Sequence, residues 1–343
     1  MAKKAEETKS LEDVAKELNK KYGEGSVMFG NEKKDIDHVI STGSLGFDLA
    51  LGCGGIPLGK GTLIEFMGWE SCGKSTISQT ILSNFQKQGI NCLLVDGEGS
   101  LDTKYATNLG VNLEKLFLIQ LDEHAGEGAY DKMERLVETG QIGLVIIDSY
   151  NALQPLKIVE GEMGESGMGL HSKMLGKAVM KANSLAATYG TVFIFIGQYR
   201  EKIGVMFGSP VTTQGGNALK FYAHLRVEIG RSTTNDNSVL VGDLKIGNKT
   251  TVKVMKNKYG PPFRSCSFDI MYGKGIDTIG EIVELGHEYG ILKKFGKSIT
   301  YDGVKHEGVN FKKMLEDNEE FYNEIRDKIL NYKETLAVTE ITE

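Results

Sequence analysis

The sequence predicts an α/β fold: a mostly parallel, doubly wound sheet, with one helix in front of it and a small α/β domain behind it. Two observations carry this. Short apolar runs rich in Val, Ile and Phe alternate with helical stretches between about residues 40 and 270: TLIEFM (62–67), NCLLVD (91–96), LFLIQ (116–120), IGLVIID (142–148) and TVFIFIG (191–197). Runs that are apolar throughout are those of strands buried on both faces. The first run also leads through a glycine-rich turn into an apolar-striped helix, the strand–turn–helix order of a parallel sheet.

Taken in order, Ser10 is the expected N-cap of a first helix, with Asp13 three residues on. Leu11, Val14, Ala15, Leu18 and Tyr22 recur at helical spacing up to Gly23. Its apolar stripe must pack on its own domain or on a neighbouring copy. Beyond the five apolar runs, HLRVEIG (224–230) and TTVKVMK (250–256) alternate apolar with polar, which reads as a more exposed, hairpin-like edge. After Gly280 the pattern turns helical. The expected division is an N-terminal helix and polymerisation segment (1–36), the sheet domain with its loops (37–272), a small C-terminal domain (273–331) and an acidic tail (332–343).

With 343 residues, 40% hydrophobic and 25% charged, the chain has the composition of a water-soluble globular protein. Its net charge is −6, and residues 314–343, with nine acids against three bases, account for all of it. A simple nucleic-acid coat is more often basic overall, so any nucleic-acid site here is local. Cys53, Cys72, Cys92 and Cys266 are widely spaced, without a metal or redox pattern, which fits a reducing compartment. The N-terminus carries no apolar run, so neither a signal peptide nor a membrane span is expected, and the expected location is cytoplasmic.

The strongest motif is GWESCGKS, residues 68–75, which fits G-x-x-x-x-G-K-[ST] in the strand-to-helix context that gives it meaning. Gly68 and Gly73 let backbone amides wrap phosphates, and the helix N-terminus adds partial positive charge. Lys74 reaches the β- and γ-phosphates, while the Ser75 hydroxyl can hold Mg²⁺. Trp69, Glu70, Ser71, Cys72 and Thr76 complete the loop lining, so the fold is expected to be a P-loop ATPase core. Cys72 reads either as a small residue chosen to fit a tight loop or, being at a helix N-terminus, as a thiol of depressed pKa that bound ATP would protect. Trp69, the only tryptophan, is expected near the phosphates and facing solvent or an adjacent subunit.

Asp148 ends an apolar strand, where ligands of doubly wound sheets sit, and is the expected carboxylate partner of the metal. It can serve as a helix N-cap as well. Glu98, between Gly97 and Gly99 beyond the NCLLVD strand, can act as the base on the attacking water or sit in an ordinary solvated turn.

Four blocks resemble the bacterial RecA recombinase family, in order and spacing, over about residues 10–330: ISTGSLGFDLALGCGGIPLGKGTLIEFMGWESCGKST (40–76), IIDSYNALQPLKIVEGEMGESGMGLHSKML (146–175), KIGVMFGSPVTTQGGNALKFYAHLRVEI (202–229) and VKVMKNKYGPPF (252–263). The resemblance implies a DNA-dependent ATPase that forms helical filaments on single-stranded DNA and drives homologous pairing and strand exchange in repair, with ATP and Mg²⁺. It makes Glu98 the catalytic glutamate and places Tyr105, with Asp102, at the adenine. It makes Gln198 the sensor of the γ-phosphate. Lys256 and Lys258 become lysines that reach a neighbour's ATP across the subunit interface, and Phe221 a subunit-contact residue. Departures are the small residues beside Glu98, Trp69 where proline is common, and Gly197 where asparagine is usual.

Two glycine-rich loops, about 159–170 and 199–216, carry the DNA reading. The second holds Arg200 and Lys202 for phosphates, and Ile203, Val205, Met206 and Phe207 as apolar groups able to wedge between bases. The first is acidic and attracts no DNA by charge. The resemblance nevertheless puts Met168 and Lys173 beside DNA, with Gly215, Gly216 and Asn217 at the end of the second loop. Lys293, Lys294, Lys297 and Lys305 read as a solvated basic face, whereas the resemblance implies duplex capture there. It also admits a self-cleaving repressor as a partner. The rivals are a ring-forming helicase or clock-type ATPase of the same fold, and a DNA-coating protein with a relict nucleotide site.

Overall fold

The structure, a computed structural model, describes residues 9–23, 25–30, 36, 38–162, 167, 169–201, 211–213, 216–231 and 238–339. It divides into two compact units, Met1–Asp37 and His38–Glu343. In the first, α1 (Leu11–Tyr22) begins as expected: the Ser10 hydroxyl accepts from the Asp13 amide at 3.1 Å. Satisfying one otherwise orphaned helical N–H is the usual worth of such a cap, about 1 kcal/mol.

The second unit opens with two short strands, β1 (Val39–Ile40) and β2 (Ile56–Pro57), either side of α2 (Leu45–Leu51). β3 (Leu63–Gly68) runs into α3 (Lys74–Lys87), β4 (Asn91–Asp96) into α4 (Thr103–Asn108), and β5 (Leu116–Gln120) into α5 (Ala125–Val137). β6 (Ile142–Asp148) leads to α6 (Leu156–Glu160) and the long α7 (Leu170–Tyr189). Next come β7 (Val192–Glu201), β8 (Val211–Thr213) and α8 (Ala218–Tyr222). β9 (Leu225–Arg231), β10 (Ser238–Val241), β11 (Leu244–Asn257), β12 (Ser265–Met271) and β13 (Gly275–Ile276) complete the sheet.

Its order is β13-β12-β11-β9-β3-β7-β6-β4-β5, with β10 on β11 and β8 on β7. From β9 to β5 the strands are parallel; β11, β12 and β13 continue antiparallel. Alternate residues of the same strands feed two cores, as a period of two requires. Ile64, Phe66, Leu94, Ile146 and Ile194 pack with Ile77, Ile81 and Phe85 of α3 on one face. Leu63, Leu93, Val95, Val145, Ile147, Phe193 and Phe195 pack with α5 and α7 on the other.

The two segments read as an exposed hairpin-like edge do pair with each other antiparallel, but not at the edge. β9 pairs with both β3 and β11, so it lies inside the sheet, and its alternate residues Leu225, Val227 and Ile229 are buried. The alternation reports one face less well covered than the other.

The chain then forms α9 (Thr278–Glu288), a three-stranded sheet of β14 (Lys293–Phe295), β15 (Ser298–Tyr301) and β16 (Val304–Glu307), α10 (Gly308–Asp317) and α11 (Glu319–Thr339). Ile282, Val283, Ile299, Phe311, Leu315, Ile325 and Ile329 make a third core, which also takes in Leu45 and Leu49 of α2. Glu281 fastens this junction. Its carboxylate accepts from the Ser44 hydroxyl at 2.5 Å and from the Leu45 and Gly46 amides at 3.0 Å, at the N-terminus of α2. Burial outweighs these donors and pushes Glu281 up to about 7.

Candidate functional site

Register decides what meets at the carboxyl edge of the sheet. Gly68, ending β3, is opposite Gln198 of β7, and Asp96, ending β4, is opposite Asp148 of β6. Four strand ends therefore converge beside the phosphate-binding loop, the place where open parallel sheets bind ligands.

The loop keeps the conformation its motif demands. Gly73 has φ +98°, and a Cβ there would stand 2.5 Å from Ile270 Cδ1, with Thr250 of β11 close behind. Lys74 is buried and folds back over the loop, donating to the Trp69 carbonyl at 2.6 Å and the Gly68 carbonyl at 3.2 Å. Arg231, at the end of β9, grips the loop from outside through two donors to the Ser71 carbonyl, at 2.7 and 3.1 Å. Ser71 sits at φ 56°, a costly backbone position for a side-chain-bearing residue that this double contact supports.

The Ser75 hydroxyl is hydrogen-bonded to Asp148, whose carboxyl is pushed up to about 6. Burial is the largest cause, with the negative charges of Glu98 and Asp96 adding to it; Ser75 and Lys74 pull the other way. A hydroxyl and a carboxylate in a crowded acidic pocket are hard oxygen donors, and they fit a divalent cation such as Mg²⁺ that brings further oxygen ligands with it. Among the described residues no group of three His, Cys, Asp or Glu could hold a metal by itself.

Glu98 is exposed at the carboxyl edge but held in place by two donors. Its Oε1 accepts from the Ser149 hydroxyl at 2.6 Å and from Gln198 Nε2 at 3.0 Å. Asp96 shapes the turn that carries it, taking the Ser100 and Leu101 amides at 3.1 Å. On the other flank, Tyr105 shares a hydrogen bond of 3.0 Å with Thr76 in the first turn of α3, and Asp102 caps its helix. Trp69 is half-exposed and meets the Tyr199 ring edge-on, with centroids 6.0 Å apart.

Cys72 corrects an expectation. It is buried beneath the loop, and burial pushes its thiol up, outweighing the pull of the Lys74 ammonium. A helix N-terminus depresses a thiol pKa only where the thiolate is not desolvated.

Lys256 and Lys258 are not brought into this cluster. Lys256 pairs in register with Arg226 at the level of Glu65, toward the amino-terminal edge of the sheet, and Lys258 lies further along. Lys256 Nζ donates to the Lys220 and Phe221 carbonyls at 2.9 Å, and burial together with the Lys258 charge lowers its pKa. Phe221 beside it is an apolar ring 75% exposed.

The DNA-loop residues are partly placed. β7 continues from Gln198 into Tyr199 and Arg200, which pair with Thr213 and Thr212 of β8, so the second loop rises on a two-stranded stem. Arg200 is exposed on that stem, and Lys173 on the first turn of α7. Gly216 comes back beside the same turn, within van der Waals reach of Ser172, and exposed Asn217 follows it. Met168, Lys202, Ile203, Phe207 and Gly215 lie outside the described residues.

Sequence reasoning missed Asp96, Ser149, Asn151 and Arg231. For Asp96 a signal existed, an acid ending an apolar run as Asp148 does. For the others the partner is distant in sequence and no local pattern announces it.

Comparison with known proteins assigns the family. The family model for the RecA N-terminal domain matches residues 9–277. Protein RecA of Frankia alni is 42% identical over 341 residues, 98% of this chain and 95% of that protein. Protein RecA of Macrococcus caseolyticus is 43% identical over 328 residues, 95% and 91%. Protein RecA of Bordetella pertussis is 42% identical over 329 residues, also 95% and 91%. With both the core model and whole-length relatives matching, the chain belongs to the RecA family.

Proposed function

We propose that this chain is a DNA-dependent ATPase that assembles on single-stranded DNA and carries out homologous pairing and strand exchange in recombination and repair. The observation that carries the reading is the hydrogen bond from Gln198 to Glu98, on a strand that runs unbroken into the stem of the second loop. One residue thus touches the hydrolytic carboxylate and begins the arm that grips DNA, so nucleotide state and DNA affinity bias each other reciprocally.

In this reading the loop amides and Lys74 hold the phosphates of ATP, and Ser75 and Asp148 hold Mg²⁺, which neutralises charge on the transferred phosphoryl group. Glu98, oriented by Ser149 and Gln198, takes the proton of the attacking water. Tyr105 and Asp102 flank the base. Lys256 and Lys258 stand apart from their own cluster and complete the site of an adjacent copy, with Phe221 at the same contact. ATP then sits between subunits, and its hydrolysis releases them. Exposed Arg200, Lys173, Gly216 and Asn217, with Met168, Lys202, Ile203, Phe207 and Gly215, contact the DNA backbone and bases without reading sequence.

The test is ATP turnover with and without single-stranded DNA, paired with electron microscopy in the presence of a slowly hydrolysed ATP analogue. Stimulated turnover and helical filaments are expected. Closed rings, or turnover indifferent to DNA, would overturn the reading.

A further inference from the structure

Gly197 precedes the sensor Gln198, and the space a side chain would need there is already filled. The Tyr150 hydroxyl lies 2.3 Å from where a Cβ would stand. Tyr150 is 0% exposed, two residues beyond Asp148. Its hydroxyl donates to Glu65 Oε1 at 3.3 Å and is also hydrogen-bonded to Thr213, the residue that closes the second loop's stem opposite Tyr199. Glu65 Oε2 in turn takes the Arg226 guanidinium at 2.5 Å.

The neighbouring atoms of the same turn reach other parts. The Tyr150 carbonyl is 3.0 Å from His171 Nε2 in the first turn of α7, behind the first loop. A carbonyl only accepts, so Nε2 is the protonated nitrogen. Asn151 Oδ1 accepts from the Gln198 amide at 2.9 Å, and Ser149 donates to Glu98. Three consecutive residues after Asp148 thus touch the hydrolytic carboxylate, the sensor strand and the roots of both loops.

We propose that Tyr150 is a positioning residue that couples nucleotide occupancy to DNA grip, by tying Thr213 at the root of the second loop to the turn following Asp148. The role rests on the coupled ATPase reading above. Tyr150, Glu65 and Thr213 are all buried, and a chain of hydroxyls ending on the Glu65–Arg226 ion pair holds one geometry. A shift of the Asp148 turn on nucleotide binding therefore moves the stem. The plainer alternative is that the ring merely fills the hollow left by Gly197.

Tyr150→Phe separates the two, because it keeps the ring and removes only the hydroxyl. The measurement is affinity for a fluorescent oligo(dT) strand with and without a slowly hydrolysed ATP analogue and Mg²⁺. In the wild type the analogue tightens binding. In Y150F that tightening falls by about fivefold or more, the lower bound of a typical coupling, while the affinity for the analogue alone stays near wild type and the protein remains folded. Thr213→Val breaks the same bond from the other end and gives the same loss. The double variant loses no more than either single one, as two ends of one interaction must.

A wild-type ratio in Y150F, or losses that multiply in the double variant, would overturn the proposal while leaving the ATPase reading intact. If Y150F does not fold, T213V decides alone. A wild type whose DNA affinity ignores the analogue would sink the ATPase reading and this inference together.

Discussion

Gln198 Nε2 donates to Glu98 Oε1 at 3.0 Å across the carboxyl ends of β7 and β4, two strands that are not neighbours in the sheet. The strand between them, β6, ends in Asp148 and so contributes a further carboxylate to the same cluster. Glu98→Gln keeps an oxygen for both the Ser149 and Gln198 donors and removes only the basic carboxylate. ATP binding and DNA-bound assemblies are expected to persist while turnover falls by about 100-fold or more, the usual range for a general base. Comparable turnover in the variant would remove Glu98 from its role.

Lys74 is the only ammonium folded over the loop in the described site, and it bonds two loop carbonyls. Lys74→Ala is expected to abolish nucleotide-dependent tightening of DNA binding, by losing both the phosphate contact and the brace on the loop. Binding of a fluorescent ATP analogue checks this directly, and retained micromolar affinity would contradict it.

Arg200 stands exposed on the second loop's stem, opposite Thr212. Arg200→Ala is expected to weaken single-stranded DNA binding without altering analogue binding. The slope of log affinity against log salt should fall by about one for the lost phosphate contact. An unchanged slope would mean that the side chain faces no phosphate.

Trp69 touches Tyr199, the first residue of that stem, so one ring bridges the phosphate loop and the DNA arm. Being half-exposed and the only tryptophan, it gives an emission of unambiguous origin. ATP analogue is expected to shift that emission, and single-stranded DNA to shift it again. A spectrum indifferent to both, in protein shown to bind them, would leave Trp69 a static packing residue.

Glu281 predicts a pH dependence of stability. Its folded pKa, about 7, lies above the ordinary glutamate value of 4.5, so the native state holds a proton that the unfolded chain releases. Stability from this group is present below about pH 4.5 and is lost as pH rises through about 7, by an amount on the order of 3 kcal/mol. Asp48, pushed up to about 6 by burial, adds in the same direction. Denaturant unfolding at pH 5 and pH 8 measures the slope, and Glu281→Gln should flatten it. An equal slope in the variant would assign the dependence elsewhere.

Much of this was legible in the sequence, for definite reasons. The loop 68–75 announces itself because its chemistry is local, with phosphate contacts and helix start within eight residues. Asp148 and Glu98 were readable because an apolar run fixes where a strand ends. Glu65 and Arg226, 161 residues apart, carry no such mark, and their pairing is set by the register of β3 on β9. Tyr150 was invisible for the same reason: its partners arrive from β3 and β8, and only the missing side chain at Gly197 hints that something bulky fills the gap. The alternation of β9 misled because it measures how well a face is covered, not where the strand stands in the sheet.

β11 has a further consequence for the proposed assembly. Thr250 lies against Gly73 of its own phosphate loop, and Lys256, proposed above to reach the neighbouring copy, stands six residues along the same strand. An extended strand rises about 3.3 Å per residue and cannot stretch, so roughly 20 Å of strand, interrupted by one bulge between Val254 and Lys256, separates the two points. The strand acts as a fixed ruler between successive nucleotides. Any lengthening or shortening of the polymer must then come from subunits swivelling on one another, since the gauge inside each subunit does not change.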